Sequence, residues 1–258
     1  MRRTHLVFIL IVCAYHLASA ADEPSLADLK SAARGALQEN KTEEVRRLTE
    51  SIMQRFGNNA DAVHFCGETR YRVGLVDLAV ISFDREIEIQ PQVKPYLWQR
   101  GLALYDAGKF DEARKQFESH RAVNPHDVEN ATWHYLCVAA IEGAEQAQKL
   151  LLPAPGDARA PMAEVYELYA GRMQVADVIA AAEKMPQATE SGQSARFYAQ
   201  LYVGLYHQVA GRIDEAKVAL RESLNTGMTG YMADSARVRL QMLAKTGSDA
   251  KVPPEPKP

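Results

Sequence analysis

The sequence has no excess of basic residues: 30 Lys and Arg stand against 33 Asp and Glu in 258 residues. A weakly acidic chain is a poor binder of nucleic acid, because contacts to phosphates need a surplus of positive charge. After residue 20 the chain also lacks any run that approaches the roughly 20 apolar residues that span a bilayer. We therefore expect a globular protein with no nucleic-acid partner and no membrane span.

Cysteine is scarce, with Cys13, Cys66 and Cys137 as its three positions. Cys13 lies in an apolar stretch close to the N-terminus, which leaves two cysteines in the rest of the chain. An even number in an exported protein is compatible with a disulfide. The wide separation of Cys66 and Cys137 along the chain disfavours such a bridge.

The first twenty residues have the layout of a cleavable secretory signal. Arg2 and Arg3 precede an apolar run over 6–14, and the small residues Ala18-Ser19-Ala20 follow. Val12 is bulky where a bacterial lipoprotein signal needs a small residue before its cysteine. We expect a signal peptide at 1–20, cleavage after Ala20, and a periplasmic or secreted protein.

Motifs for catalysis are missing from the sequence. It contains no Gly-x-Ser-x-Gly elbow, phosphate-binding loop, dinucleotide fingerprint or His-Glu-x-x-His zinc motif. The segment from His120 to His134, which also holds His126, is the one concentration of histidines, and we expect His126 and His134 to lie on the surface. We predict a protein that is not an enzyme and binds no cofactor or metal; a metal-dependent hydrolase that uses this segment is the alternative.

A 34-residue period is the strongest pattern in the chain. Five pairs of identical residues recur at this spacing: Gly67 and Gly101, Gly74 and Gly108, Ala79 and Ala113, Phe83 and Phe117, and Pro91 and Pro125. The first glycine and the alanine allow close helix approach, and the phenylalanine fills the space that they leave. The second glycine ends one helix and the proline ends the next.

The same frame divides the rest of the chain into weaker copies. A third good repeat covers 197–228, with Gly204, Gly211, Ala216 and Leu220 in the repeat positions. The other good repeats are 60–93 and 94–127, and degenerate ones cover 25–56 and 128–195. We expect a helical solenoid over 21–246, closed by a capping helix at 230–245 and followed by an extended, disordered proline-rich tail at 247–258.

These residues resemble the tetratricopeptide repeat, a helix-turn-helix unit of 34 residues. The resemblance implies an all-α, right-handed superhelix of antiparallel helix pairs. The stretch 100–109, together with 124–127 and 133–136, is similar to the new lipoprotein I family of bacterial periplasmic adaptors. That likeness implies a non-catalytic adaptor that docks envelope proteases and cell-wall hydrolases.

Repeat stacking places one edge of each first helix on a concave surface. In two successive repeats the concave positions hold His64, Glu68, Tyr71, Arg72, Trp98, Leu102, Tyr105 and Asp106. Large aromatic residues dominate interfaces, so these positions predict a groove for a partner segment, with Arg72 and Asp106 setting its charge preference. Alternatively, Trp98 packs between helices, as we expect for the stripe of Tyr198, Tyr202 and Tyr206.

The sequence therefore predicts an exported scaffold or adaptor that binds an envelope or secreted protein in a concave groove. The second alternative, beside the hydrolase, is a self-assembling structural module that forms homodimers through the ends of the solenoid.

Overall fold

The computed structural model describes residues 23–249, so the predicted signal peptide and most of the predicted tail lie outside the described residues. Within 23–249 the chain is helical and contains no strand. The helices are α1 Leu26–Gln38, α2 Thr42–Phe56, α3 Ala60–Arg72, α4 Val76–Ile89, α5 Trp98–Asp106, α6 Phe110–Arg121, α7 Val128–Glu142, α8 Ala144–Lys149, α9 Met162–Tyr169, α10 Val175–Glu183, α11 Glu190–Val209, α12 Ile213–Asn225 and α13 Tyr231–Asp249. Successive helices pack on one another in pairs, which confirms the all-α repeat fold.

Close approach of the two helices in each good repeat depends on glycine. A Cβ atom placed on Gly101 would lie 2.5 Å from the ring of Phe117, and one on Gly67 would lie 2.6 Å from Phe83. In the third repeat a Cβ on Gly204 would meet Leu220 at 2.9 Å. The small residue on one helix thus admits the large residue of the other, as the 34-residue pattern predicts.

The turns inside the repeats use the left-handed backbone conformation. Gly74, Gly108 and Gly211 have φ of 81°, 74° and 75°, a region that residues with a side chain rarely adopt. In the N-terminal degenerate repeat this position is Asn40, with φ of 54°, and asparagine tolerates the conformation better than most residues do. Each turn therefore reverses the chain between paired helices.

Two segments depart from regular repeat geometry. Residues Pro91–Tyr96 form a 3₁₀ helix, so α5 begins at Trp98 rather than at residue 94, where the second repeat starts. In the degenerate region α8 has only 6 residues, and the loop 150–161 separates it from α9. Ala147 still lies fully buried in α8, in the small-residue position of the repeat frame.

The last helix ends the stack and also turns back over it. Helix α13 packs on α12 and contacts α3 and α5, which belong to repeats much earlier in the chain. It continues to Asp249, past the predicted end at 245 and into the predicted tail. Within residues 23–249 no helix is long and apolar enough to cross a membrane.

Candidate functional site: the concave groove and the aromatic cavity

The eight predicted groove residues lie on α3 and α5, and α13 contacts Tyr71, Arg72, Trp98, Tyr105 and Asp106. Tyr71 is 0% exposed, Leu102 1% and Tyr105 3%. The structure therefore corrects the expectation of an open groove at these positions: their neighbour is a helix of the same chain. Of the remaining groove residues, His64, Glu68, Arg72 and Trp98 are half-buried, and the side chain of Asp106 is 1% exposed.

Aromatic rings fix the start of α13 in the groove. Tyr231 stacks on Tyr71, with ring centroids 5.3 Å apart and an interplanar angle of 10°. The indole of Trp98 also contacts Tyr231 edge-on, with ring centroids 5.1 Å apart. The rings of Tyr71 and Trp98 thus contact a segment of their own chain, whereas the sequence predicts that they contact a partner.

Polar contacts also hold α13 against α3 and α5. The hydroxyl of Tyr71 donates to Asp106 Oδ2 at 2.8 Å, and Asp106 also pairs with Arg239 of α13. Burial raises the pKa of the Asp106 carboxyl, while Arg239 and Tyr71 oppose that shift. Arg72 donates to Asp234 Oδ2 at 2.6 Å. Both residues that were expected to read a partner's charge are therefore paired within the chain.

His64 and Glu68 connect α3 to the neighbouring helices α4 and α5. His64 Nδ1 lies 2.9 Å from Glu86 Oε2, and Nε2 lies 3.6 Å from Glu68 Oε1. Hydrogen bonds to Glu68 and Glu86 raise the pKa of His64 to about 10. Glu68 also accepts from Gln99 of α5 at 3.1 Å. These contacts hold α3, α4 and α5 together.

Beside α13 the concave face stays open as a cavity of about 310 Å³, here called the aromatic cavity. Its walls come from α5, α6, α7, α11, α13 and the loop before α7. The lining residues are Trp98, Leu102, Phe117, His120, Asn124, Asp127, Glu129, Asn130, Trp133, Tyr198 and Met232. Two of them, Trp98 and Leu102, belong to the predicted groove.

Trp133 is a deeply buried aromatic side chain of the cavity wall, at 2% exposure. It stacks with Phe117 at 6.3 Å and meets Tyr105 edge-on at 5.4 Å. Its indole Nε1 has no hydrogen-bond partner. Asn130, at 4% exposure, donates through Nδ2 to the Phe117 carbonyl at 3.1 Å, and its Oδ1 has no partner. Two buried polar atoms on lining residues are therefore unsatisfied.

Carboxylates line the side of the cavity where α7 begins. Asp127 caps α7 by accepting from the Glu129 amide at 3.0 Å. Arg159 binds Asp127, Glu129 and Asp157 with contacts of 3.2, 2.5 and 2.7 Å. Glu129 also accepts from the Tyr202 hydroxyl at 2.7 Å, and burial raises the pKa of its carboxyl. Three carboxylates thus share one guanidinium.

The three histidines of the sequence cluster do not converge. His120 lines the aromatic cavity, with Nδ1 donating to the Pro95 carbonyl at 2.8 Å. His126 is exposed and donates to the Pro155 carbonyl at 2.6 Å. The expectation that His134 lies on the surface was wrong: it is 2% exposed, faces Glu118, and burial lowers its pKa. Within residues 23–249 no three His, Cys, Asp or Glu side chains are grouped to hold a metal.

Most of the cavity was missed by sequence analysis. Trp133, Asn130 and Met232 carried no signal beyond helical periodicity, and Tyr198 was assigned to the core with Tyr202 and Tyr206. Tyr202 is fully buried as expected, whereas Tyr198 is half-buried and turns toward the cavity. The repeat frame does not point to these residues: the concave positions of the third repeat are Leu201, Leu205, Gln208 and Val209, and none of them lines the cavity.

The sequence matches no protein-family model and no curated protein. Among solved structures the chain is similar to the crystal structure of MamA protein, with 12% identity and a TM-score of 0.43. That similarity covers 90% of this chain and 98% of the other. A likeness this weak carries no functional weight, so the function rests on the geometry above.

Proposed function

We propose that this protein is a non-catalytic binding module that holds a segment of a partner protein in the aromatic cavity. The observation that carries the proposal is the cavity itself: about 310 Å³ of open space walled by Trp98, Trp133, Phe117 and Tyr198. Ligand sites are typically concave, largely apolar and furnished with a few polar groups that fix orientation. Large aromatic residues are also the side chains that dominate binding energy at protein interfaces.

Residues of the predicted groove support this role indirectly, because they hold the helix that borders the cavity. Tyr71, Tyr105 and Asp106 hold α13, and Met232 of α13 forms part of the cavity wall. The groove therefore shapes the site by fixing the helix that borders it. Trp98 contributes to both, because its indole contacts Tyr231 and also lines the cavity.

Site-specific photocrosslinking tests the proposal. A photoreactive phenylalanine analogue replaces Met232, which borders the cavity, and in a matched control it replaces Ile81, which is 55% exposed on α4. In the native envelope fraction we expect a discrete crosslinked partner from position 232 only. Trp98→Ala should reduce that crosslink while leaving helical content unchanged. Equal crosslinking from both positions would contradict a partner site in the cavity.

We further propose that the protein acts outside the cytoplasm, after export directed by the N-terminal segment with Arg2, Arg3 and Ala18-Ser19-Ala20. Intact-mass analysis of protein from the envelope fraction tests this. A mature chain that begins at Ala21 is the expected result, and a chain that retains residues 1–20 would contradict cleavage.

A further inference from the structure

The carboxylates at the aromatic cavity outnumber the cations that bind them. Asp127, Glu129 and Asp157 share Arg159, and His120 Nε2 lies 3.9 Å from Asp127 Oδ2; even when both are counted as cations, this corner of the molecule has more negative than positive charge. Asp127 and Glu129 also line the cavity, with side chains 17% and 16% exposed. A negatively charged, partly desolvated wall attracts cations more strongly than an exposed one does, because water screens it less.

The unsatisfied atoms of the cavity wall are a second, independent observation. Asn130 Oδ1 is an acceptor without a donor, and Trp133 Nε1 is a donor without an acceptor. Both side chains are more than nine-tenths buried. A buried polar atom without a partner costs free energy. Because the two atoms have almost no accessible surface, a ligand recovers this cost when it draws the side chains that carry them toward the cavity and supplies the missing groups. A peptide with a basic side chain offers an N–H donor for the first atom and a backbone carbonyl for the second.

The aromatic walls favour the same ligand. Cations bind over the faces of Trp and Tyr rings within about 6 Å of the centroid. One such contact already exists in the chain, because the Arg159 guanidinium lies 6.0 Å from the Tyr198 centroid. An anionic group would instead meet Asp127 and Glu129, and a purely apolar one would leave Asn130 and Trp133 unsatisfied.

We propose that the aromatic cavity takes an arginine or lysine side chain of an extended partner segment. Asp127 and Asn130 Oδ1 receive its N–H groups, and the rings of Trp98 and Tyr198 cover its cation. Trp133 Nε1 donates to a backbone carbonyl of the same segment. This inference rests on the proposed function and specifies the chemistry of the partner.

Two properties of the chain make the inference directly measurable. Its two tryptophans, Trp98 and Trp133, both line the cavity, so intrinsic fluorescence and the two indole N–H signals in NMR report on this site. The probes are two short peptides of alanine and glycine that differ at one central residue, arginine or citrulline. Citrulline has nearly the shape of arginine without its charge, so the pair isolates the cation.

We expect the arginine peptide to bind at least about tenfold more tightly than the citrulline peptide, as for a hydrogen bond to a charged group. Asp127→Asn should remove most of that difference, because asparagine still caps α7 but carries no charge. Asp77→Asn, at an exposed position in the first turn of α4, is the matched control and should leave the difference intact. Circular dichroism checks that both variants fold.

The outcomes separate the inference from the proposed function. Equal binding of the two peptides, with both perturbing the indole signals, would overturn the cation site and leave the cavity as a binding site. If neither peptide perturbs the signals while the crosslink from position 232 persists, the cation site is likewise wrong and the proposed function stands. Loss of both the peptide response and the crosslink overturns both.

Discussion

The carboxylate of Asp106 in α5 and the guanidinium of Arg239 in α13 form a buried ion pair across 133 positions of the chain. Their side chains are 1% and 8% exposed, and Tyr71 gives the carboxylate a second donor. The guanidinium also lies over the Tyr105 ring, 4.8 Å from its centroid. This pair fixes α13 in the concave groove and so defines which part of the concave face stays open.

Removing the cation should therefore destabilise the fold strongly. Arg239→Met leaves the Asp106 carboxylate buried without its charge partner, for which we expect a loss of about 3–5 kcal/mol in the free energy of unfolding. Urea denaturation measures it. The double variant Asp106→Leu/Arg239→Met should recover much of the loss, because no buried charge then remains.

Arg237→Met is the matched control for this pair. Arg237 lies on the same helix, pairs with Asp234 and has a side chain that is 44% exposed, so its loss should cost less than about 1 kcal/mol. Equal destabilisation by Arg237→Met and Arg239→Met would show that burial of the pair is not what makes Arg239 important.

Two helical glycines, one in a repeat position and one outside the repeat pattern, give stability predictions of opposite sign. Gly101→Ala places a Cβ against the Phe117 ring and should destabilise the protein by about 1–3 kcal/mol through overpacking. Gly35→Ala in α1 meets no atom within 4 Å and should stabilise it by about 0.5–1 kcal/mol, since alanine is the better helix former. Thermal or urea unfolding distinguishes the two; destabilisation at both would refute the packing explanation.

His64 makes stability depend on pH in a defined direction. Hydrogen bonds to Glu68 and Glu86 raise its pKa from 6.5 to about 10, so the folded state favours the protonated ring. Its contribution is complete below pH 6.5 and is lost as the pH rises through about 10. Relative to wild type, His64→Gln should thus lose the most stability below about pH 6.5 and little above about pH 10.

The control for this pH dependence is His126→Gln, because His126 lies exposed on a loop and contacts a backbone carbonyl. Urea unfolding of all three proteins across the same pH series gives the comparison. A constant difference between wild type and His64→Gln at every pH would contradict a titrating role for His64.

The two cysteines within residues 23–249 should be unreactive in the native state. Cys66 and Cys137 are buried and unpaired, and burial raises the pKa of the Cys66 thiol to about 12. Thiolate is the reactive form, so an aromatic disulfide reagent should label neither residue until denaturant is added, and then both. Rapid labelling without denaturant would show that α3 or α7 opens readily.

Local sequence pattern was sufficient for the helices and their pairing. The positions of Gly67, Gly101, Phe83 and Phe117 encode contacts between helices that are adjacent in the chain, and the structure confirms them. Asp77 and Asp111 lie in the first turns of α4 and α6, where the helix dipole favours a carboxylate. Such contacts are readable because both partners belong to one repeat.

The burial of His134 shows where local pattern is insufficient. His134 follows His126 by eight residues, and both were expected on the surface. Helix α7, however, lies between several helices and is buried on most of its faces. A helix surrounded by neighbours has no regular polar face, so periodicity cannot distinguish its buried histidine from an exposed one.

By itself the sequence determined an all-α stack of paired helices, because each pair is specified by small and large residues a few turns apart. Only the tertiary structure decided that α13 fills the predicted groove and that the open site lies beside it. The contacts of Asp106 with Arg239 and of Tyr71 with Tyr231 join repeats far apart in the chain. They depend on the curvature accumulated over the whole stack, which no single repeat encodes.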